Sequence, residues 1–365
     1  MAGFLRCLHR NGSGGSRRRL IPAVVLAIVA AVSACSSPGA AAGGASGGGV
    51  LRLGYFANLT HASAILGVST GAFQRELGTT TLQTQVFNAG PAAVEALLAG
   101  AIDAAYVGPN PAINAYVKSG GQAVRIVAGA TSSGASLVVR PGLTVADLRG
   151  KTLASPQLGG TQDVALRSWL AKNGLTTSVS GAADVTIAPQ DNAQSLELFK
   201  AGKIDGAWLP EPWATRLRVE AGGVTLVDEA TLWPQGRFVT THLLVSTAYL
   251  QSHPDQVTAL LRGAIAIDAA IAKDPTGSRD AVGAQIARLT GKALPAGVLT
   301  EAWSHLTVTL DPVASSLQAS ADAALAAGLT KQRADLTGIY DLRPLNALLA
   351  AAGKPTVSAG GLGKE

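Results

Sequence analysis

A motif that occurs twice constrains the fold of this chain more than any other feature of its sequence. Residues 95–107 read EALLAGAIDAAYV, and residues 197–209 read ELFKAGKIDGAWL. A glycine, an isoleucine and an aspartate recur at matching positions: Gly100 and Gly202, Ile102 and Ile204, Asp103 and Asp205. A helix can end at the glycine, which tolerates a left-handed cap, and a buried strand can follow at once. The repeat therefore predicts two similar α/β lobes within one chain.

Strand-like and helix-like stretches alternate around the first copy of the motif. Residues 50–55 and 82–87 have the composition of strands, whereas residues 61–77 repeat apolar side chains at close to helical spacing. This alternation predicts a mostly parallel sheet with helices on both faces. With 365 residues, the chain is long enough for two lobes that each have a core. The predicted fold class is α/β, with two doubly wound lobes.

The chain is expected to return to the first lobe after it completes the second. An apolar, strand-like stretch, FVTTHLLVS at residues 238–246, follows the second lobe and supports this return. Crossing strands near residues 137–139 and 238–245 would then form a hinge between the lobes. The predicted ranges are 50–140 plus 238–353 for lobe 1, 141–237 for lobe 2, and 354–365 for a disordered tail.

The N-terminal segment has the pattern of a bacterial export signal. Arginines at positions 17–19 precede an apolar run, Leu20 to Ala34, which is short for a membrane-spanning helix. The run ends in VSAC, which resembles a lipobox, and in a lipobox the cysteine, here Cys35, is lipidated and becomes the new N-terminus. Ordinary signal cleavage is the alternative, and both the Sec and the twin-arginine routes remain open. Residues 1–34 are therefore predicted to be a signal peptide, and residues 35–49 the lipidated Cys35 with a flexible tether.

Charge and cysteine content exclude several classes of protein. Five arginines precede residue 35, where no lysine or acid occurs, so the net charge of +6 falls almost to zero in the mature chain. A nearly neutral chain gives no reason to expect a nucleic-acid partner. The two cysteines, Cys7 and Cys35, are too few for a disulfide framework. We expect a monomer that works on the outer face of the cytoplasmic membrane and touches it only through the lipid.

Four stretches of the chain resemble a known family. They are GYFANLTHA (54–62), GPNPAINAYVKSG (108–120), DLRGKTLASPQLGGTQDVALRSWL (147–170) and AWLPEPWATRL (207–217). Together they are similar to the nitrate/sulfonate/taurine class of periplasmic substrate-binding proteins, above all to its aliphatic sulfonate branch. The resemblance implies a type II periplasmic binding protein fold, with the ligand in the cleft between two lobes. It also implies a partner, the permease of an ATP-binding-cassette (ABC) importer.

The cleft residues can be proposed from the order of strands and helices. In open parallel sheets, ligands bind beyond the carboxyl ends of the strands, and the loops at those ends here are rich in small and polar residues. The predicted ligand-binding residues are Asn58, Leu59, Thr60, His61, Asn88, Gly90, Asn110, Thr131, Ser132, Gly159, Gly160, Thr161, Gln162, Trp213 and Thr240.

Two of these loops are expected to bind an anion. Thr60 with His61, and Gly160 with Thr161, each stand at a predicted helix start, where free N–H groups and the helix dipole favour negative charge. These residues could instead do no more than cap their helices. Apolar contact from Phe56, Leu59 and Trp213 favours an organic anion, most of all an aliphatic sulfonate. Taurine, nitrate and a thiamine pyrimidine precursor remain alternatives.

Other functions fit the sequence less well. A pyrimidine-precursor synthase of the same fold would use iron near a cysteine-rich motif that this chain lacks, and no nucleophile elbow is present. A ligand-sensing regulator would need a DNA-binding helix pair. The histidines lack metal-ligand spacing, so no metal, no cofactor and no catalytic residue are expected. Glu211 is open to two interpretations, a contact with a ligand ammonium group or a structural role beside Pro212.

Overall fold

The computed structural model describes residues 48–365. The predicted signal peptide, the lipidated Cys35 and the tether up to residue 47 lie outside the described residues. Gly49, which was assigned to the tether, already belongs to the fold, because its carbonyl accepts a hydrogen bond of 2.9 Å from the N–H of Thr81. Among residues 48–365, no helix combines the length and the hydropathy that crossing a membrane requires.

Strands and helices alternate most regularly over residues 50–133 and 152–228 of the described chain, and four helices follow one another over residues 247–304. The strands are β1 (Val50–Phe56), β2 (Thr81–Phe87), β3 (Ala104–Val107), β4 (Val124–Ser133), β5 (Ala135–Val139), β6 (Thr152–Ser155), β7 (Thr186–Pro189), β8 (Gly206–Pro210), β9 (Val224–Asp228), β10 (Val239–Ser246), β11 (Leu306–Val308), β12 (Tyr340–Asp341) and β13 (Gly363–Lys364). The helices are α1 (Ala62–Ser69), α2 (Ala72–Leu77), α3 (Gly90–Leu98), α4 (Pro109–Lys118), α5 (Thr161–Lys172), α6 (Asn192–Lys200), α7 (Trp213–Ala221), α8 (Thr247–Ser252), α9 (Pro254–Lys273), α10 (Pro275–Thr290), α11 (Ala296–Ser304), α12 (Leu317–Ala326) and α13 (Arg343–Ala351).

The strands form two sheets, which define two lobes and confirm the predicted α/β class. The sheet of lobe 1 has the order β13-β12-β4-β10-β3-β1-β2, with β11 beside β4, and that of lobe 2 has the order β7-β6-β8-β5-β9. In lobe 1, β1 pairs in parallel with β2 and β3, and in lobe 2, β6 pairs in parallel with β7 and β8. The carboxyl ends of these six strands therefore carry the loops from which a cleft can be built.

The repeated motif occupies the same place in both sheets. Gly100 and Gly202 end the turns after α3 and α6 with φ of 72° and 73°, which is the left-handed region that glycine tolerates best. The following aspartates fasten the next strand to the sheet. Asp103 accepts the backbone N–H of Arg52 in β1 at 2.8 Å, and Asp205 accepts that of Thr152 in β6 at 2.9 Å. The carboxylate has the same structural task in each lobe, which explains why it recurs.

The predicted boundary between the lobes is wrong on its first side. Residues 135–139 were assigned to lobe 1, but they form β5, which lies between β8 and β9 in lobe 2. The chain crosses earlier, at Ser133 and Gly134, which both have positive φ. On the way back, the N–H of Ser133 donates to the carbonyl of Phe238 at 3.1 Å, so the two crossing segments are bonded to each other. A short apolar run such as residues 135–139 fits the middle of either sheet. Only its pairing with β8 and β9 shows that it belongs to lobe 2.

The prediction of a disordered C-terminal tail is also wrong. β13 pairs in parallel with β12, and Ala359 is completely buried. The side-chain amide of Asn346 bonds both the N–H and the carbonyl of Val357 at 2.9 Å, as a neighbouring strand would. Small residues in this segment resemble a flexible tail in composition, but bonds to the preceding helix, α13, and pairing with β12 hold them in place.

Candidate ligand-binding site

A cavity of about 40 Å³ lies between the two sheets, and this volume suits one small head group or a few waters. Its walls come from the carboxyl ends of the six parallel strands, together with the start of β10. No described residue of the lining carries a charged side chain. The lining residues are Phe56, Asn58, Thr60, His61, Asn88, Ala89, Gly90, Gly108, Pro111, Pro156, Gln157, Gly160, Thr161, Gln162, Asn192, Pro210, Thr240 and Thr241.

Nine of the predicted ligand-binding residues come together in this lining. They are Asn58, Thr60, His61, Asn88, Gly90, Gly160, Thr161, Gln162 and Thr240. The rule that ligands bind beyond the ends of parallel strands selected them without any knowledge of the pairing. Their direct contact with a ligand remains a prediction.

Six predicted residues lie outside the cavity: Leu59, Asn110, Thr131, Ser132, Gly159 and Trp213. Leu59 is completely buried in the apolar core of lobe 1. Asn110 donates its amide to the carbonyl of Ser320 at 3.0 Å, and Thr131 donates its hydroxyl to the carbonyl of Thr60 at 2.7 Å. The side chains of Asn110 and Thr131 therefore support the cavity walls through hydrogen bonds within the protein.

Three lining residues that the sequence did not single out bear directly on the chemistry of the site. Gly108 precedes α4, Asn192 begins α6, and Thr241 lies in β10. Among residues 48–365, the Asn192 side-chain carbonyl and the Thr241 hydroxyl are buried atoms without any hydrogen-bond partner. An unsatisfied buried polar group costs about 1–3 kcal/mol, so the Thr241 hydroxyl is suited to donate to a ligand, whereas the Asn192 carbonyl is an acceptor and needs a donor. Asn192 was missed because β7, the strand before it, was not predicted.

Four helices begin at this cavity. Gly90 and Asn192 are the first residues of α3 and α6, Gly108 immediately precedes α4, and Gly160 with Thr161 begins α5. None of these four described helices has a side-chain hydrogen bond from its capping residue to its first turn. The N–H groups of their first turns, other than at the prolines in the first turns of α3 and α4, are therefore available to a ligand, and each dipole favours a negative charge by about 0.3–2 kcal/mol. The arrangement suits an anion.

The helix end expected at Thr60 and His61 differs from the prediction. Residues 59–61 form a 3₁₀ turn, and α1 begins only at Ala62. His61 instead contributes its ring to the cavity lining. Its Nδ1 accepts the N–H of Phe56 at 3.3 Å, so the ring proton resides on Nε2. Burial lowers the pKa of His61 to about 3, and the ring is therefore a neutral N–H donor.

A second cavity of about 390 Å³ adjoins the first, and Asn58, Asn88 and Asn192 line both. Trp213 lines only this larger cavity, which is why it lies outside the smaller one. Its indole N–H donates to Asn58 Oδ1 at 2.8 Å, joining lobe 2 to lobe 1. This bond occupies the carbonyl of Asn58 and leaves its NH₂ group as a donor.

Glu211 has a structural role. It lines neither cavity and is completely buried at the start of α7. Its carboxylate accepts the N–H and the hydroxyl of Thr215, both at 3.0 Å, and lies 3.7 Å from the guanidinium of Arg218. Burial raises the pKa of Glu211 to about 7, and the bonds from Thr215 oppose this shift. The interpretation in which Glu211 meets a ligand ammonium group is not supported.

Comparison with known proteins places the fold and the cavity in a family. The model of the NMT1-like family matches residues 44–287. The chain belongs to this family. Among curated relatives of the NMT1-like chain is a binding protein of Brucella abortus (strain 2308), 26% identical over 190 residues, which are 52% of this chain and 56% of the relative. The chain thus matches only about half the length of its curated relatives.

Solved structures show the same fold over most of the NMT1-like chain. The alkanesulfonate-binding protein SsuA from Xanthomonas axonopodis pv. citri, bound to MOPS, is 25% identical with a TM-score of 0.66, covering 80% of this chain and 97% of that one. The periplasmic aliphatic sulphonate binding protein SsuA from Escherichia coli is 22% identical with a TM-score of 0.61, covering 79% and 95%. The predicted type II periplasmic binding protein fold and the resemblance to this class are confirmed.

Proposed function

We propose that this protein captures a small organic anion of the sulfonate type between its lobes and delivers it to the permease of an ABC importer. One observation carries the proposal: four uncapped helix N-termini and neutral donors meet in a cavity that no charged side chain lines. The name of the similar Xanthomonas protein, which binds alkanesulfonates, supports it. The relatives named above are binding proteins, and we propose binding without catalysis here.

The donors favour an anion such as a sulfonate over taurine and an aminopyrimidine. Three sulfonate oxygens can each accept several N–H or O–H bonds, and the cavity offers such groups on Thr161, Thr241 and His61. An aminopyrimidine would bring no negative charge to the helix ends. The ammonium group of taurine would find no carboxylate in the smaller cavity. Neutral donors hold an anion without a buried ion pair, which suits a protein that must release its ligand again.

A thermal-shift and calorimetric panel of methanesulfonate, nitrate, taurine and an aminopyrimidine tests the proposal. At one hundred times its dissociation constant, a sulfonate should stabilise the protein by about 2.7 kcal/mol. Thr241→Val should weaken sulfonate binding about tenfold, because a donor is lost, yet leave the stability of the free protein unchanged or higher. Absence of sulfonate binding, or preference for the aminopyrimidine, would refute the proposed ligand. Thr258→Val, on the exposed side of α9, is the matched control.

Sulfonate affinity should vary less than about twofold between about pH 6.5 and 8.5. His61 stays neutral in this range, because its pKa is about 3 and the lining contains no acid or other base. A bound anion raises the pKa of His61, so affinity should increase only at acid pH, as the ring gains its proton. Calorimetric titration at several pH values measures this. A steep fall of affinity between pH 6.5 and 8.5 would mean that a cationic histidine holds the ligand.

We also propose that the protein is exported, is anchored by a lipid on Cys35 and acts as a monomer outside the cytoplasmic membrane. The VSAC motif supports the anchor, and the periplasmic E. coli neighbour supports the location. Cys35→Ala should move the protein from the membrane fraction to the soluble fraction while its melting temperature is retained. If the wild type incorporates no labelled lipid and the variant stays with the membrane, the anchor is wrong.

A further inference from the structure

In the proposed function the anionic head group of the ligand occupies the smaller cavity, and the larger cavity has no assigned occupant. Its volume of about 390 Å³ lies between the end of β2, the starts of α6 and α7, and the end of α10 with the loop that follows. We call it the tail chamber. Most of its walls are apolar, and the apolar side chains are Ala57, Val86, Phe87, Ala193, Leu196, Pro212, Trp213, Ile286, Leu289 and Leu294.

The tail chamber adjoins the head-group cavity at three asparagines. Asn58, Asn88 and Asn192 line both spaces. Asn58 is held by Trp213 at 2.8 Å, and the Asn88 amide donates to Asp191 at 3.3 Å. An anion seated on the helix ends would therefore direct its substituent between fixed side chains toward the apolar walls.

The walls of the tail chamber are rigid and carry balanced charge. The guanidinium of Arg216 lies 4.6 Å from the ring centre of Trp213 and is itself held by Glu220 at 2.6 Å. The indole is thus fixed through its N–H by Asn58 and over its ring by Arg216. The charged groups in the lining are two acids and two bases, which are Asp191, Glu197, Arg216 and Lys292. Such a chamber favours a substituent without charge.

We propose that the natural ligand carries an uncharged apolar substituent of at least the size of an aromatic ring, seated in the tail chamber. This inference rests on the proposed function and specifies which sulfonates the site would take. The size argument is direct: an apolar cavity of about 150 Å³ accepts benzene, and the tail chamber is more than twice as large. Nitrate and methanesulfonate carry no substituent of this size, so the tail chamber would stay empty when either is bound. Each methylene buried there should raise affinity about fourfold.

Calorimetric titration with a constant head group tests the proposal. We expect the dissociation constants to fall in the order methanesulfonate, hexanesulfonate, naphthalene-2-sulfonate, with at least about a hundredfold between the first and the last. Leu289→Asn should weaken naphthalenesulfonate about tenfold and leave methanesulfonate within about twofold, because only the substituent meets this wall. Leu232→Asn, at an exposed leucine outside both cavities, should change neither affinity.

The outcomes separate this inference from the proposed function. If methanesulfonate binds as tightly as naphthalenesulfonate, the tail chamber holds no ligand, although sulfonate capture stands. Equal weakening of both ligands by Leu289→Asn would also refute the inference, because it would place the head group there. If no sulfonate binds at all, the proposed function fails and the inference fails with it.

Discussion

Replacing Asp163 with alanine should lower the free energy of unfolding by about 3–5 kcal/mol. Asp163 and Arg167 are completely buried one turn apart in α5, with Arg167 Nε 3.0 Å from Asp163 Oδ2. The same carboxylate accepts the hydroxyl of Ser155 at 2.8 Å and the N–H of Gly159 at 2.9 Å. Alanine would leave the guanidinium buried without its partner and would release the loop before α5. Urea unfolding measures the effect.

Asp147→Ala is the matched control, because Asp147 also accepts a backbone N–H and a hydroxyl, both from Thr144, but at an exposed position. Its loss should cost only about 0.5–2 kcal/mol. The loop fastened by Asp163 leads into Gly160 and Thr161, so ligand affinity should fall with Asp163→Ala as well. A loss of stability for Asp163→Ala no larger than that of the control would show that the buried pair contributes little.

Gly108→Ala should weaken ligand binding by about 10- to 100-fold. A methyl group at this position would lie 2.2 Å from Thr161 Oγ1 and 3.3 Å from the carbonyl of Thr240. Gly108 has φ of −71°, which any residue can adopt, so the free protein should fold normally. The steric clash arises where Gly108 of lobe 1 meets Thr161 of lobe 2, so it should oppose binding rather than folding. Calorimetric titration measures the ligand affinity, and a melting curve measures the stability of the free protein.

Two variants test whether the clash with Thr161 causes the loss of affinity in Gly108→Ala. Gly297→Ala, in α11 with no atom within 4 Å of the added methyl group, should leave binding unchanged. Gly108→Ala should weaken binding less in a Thr161→Ala background than in the wild type, because the clash with the hydroxyl is absent there. Wild-type affinity for Gly108→Ala would mean that the lobes do not approach at this point when ligand is bound.

Local chemistry made the two-lobe fold predictable from the sequence. The glycine of each repeat ends a helix turn, and the aspartate three residues later fastens the corresponding neighbouring strand, β1 in lobe 1 and β6 in lobe 2. Polar loops at strand ends were recognisable in the same way, and they placed nine of the proposed residues in one cavity. Each of these features was recognisable from a short stretch of neighbouring residues, although the contacts that they make in the fold are long-range.

What the sequence did not predict depends on distant pairing. β5 joined lobe 2 because its partners are β8 and β9, which follow it by tens of residues. The C-terminal segment is ordered by Asn346 and β12. Leu59 and Thr60 are neighbours in one 3₁₀ turn, yet Leu59 faces the core whereas Thr60 lines the cavity, and this turn has no clear sequence signal.

The bond between Trp213 and Asn58 gives the protein a built-in optical reporter. This indole links the lobes, so any separation of the lobes transfers its N–H from an amide carbonyl to water. Trp169 and Trp208 pack edge to face within the core of lobe 2, where lobe motion should not reach them. Trp233 and Trp303 emit as well, so a shift in emission wavelength on adding ligand is assigned to Trp213 when Trp213→Phe abolishes it. The occupancy of the site could then be followed by fluorescence, without attaching a dye.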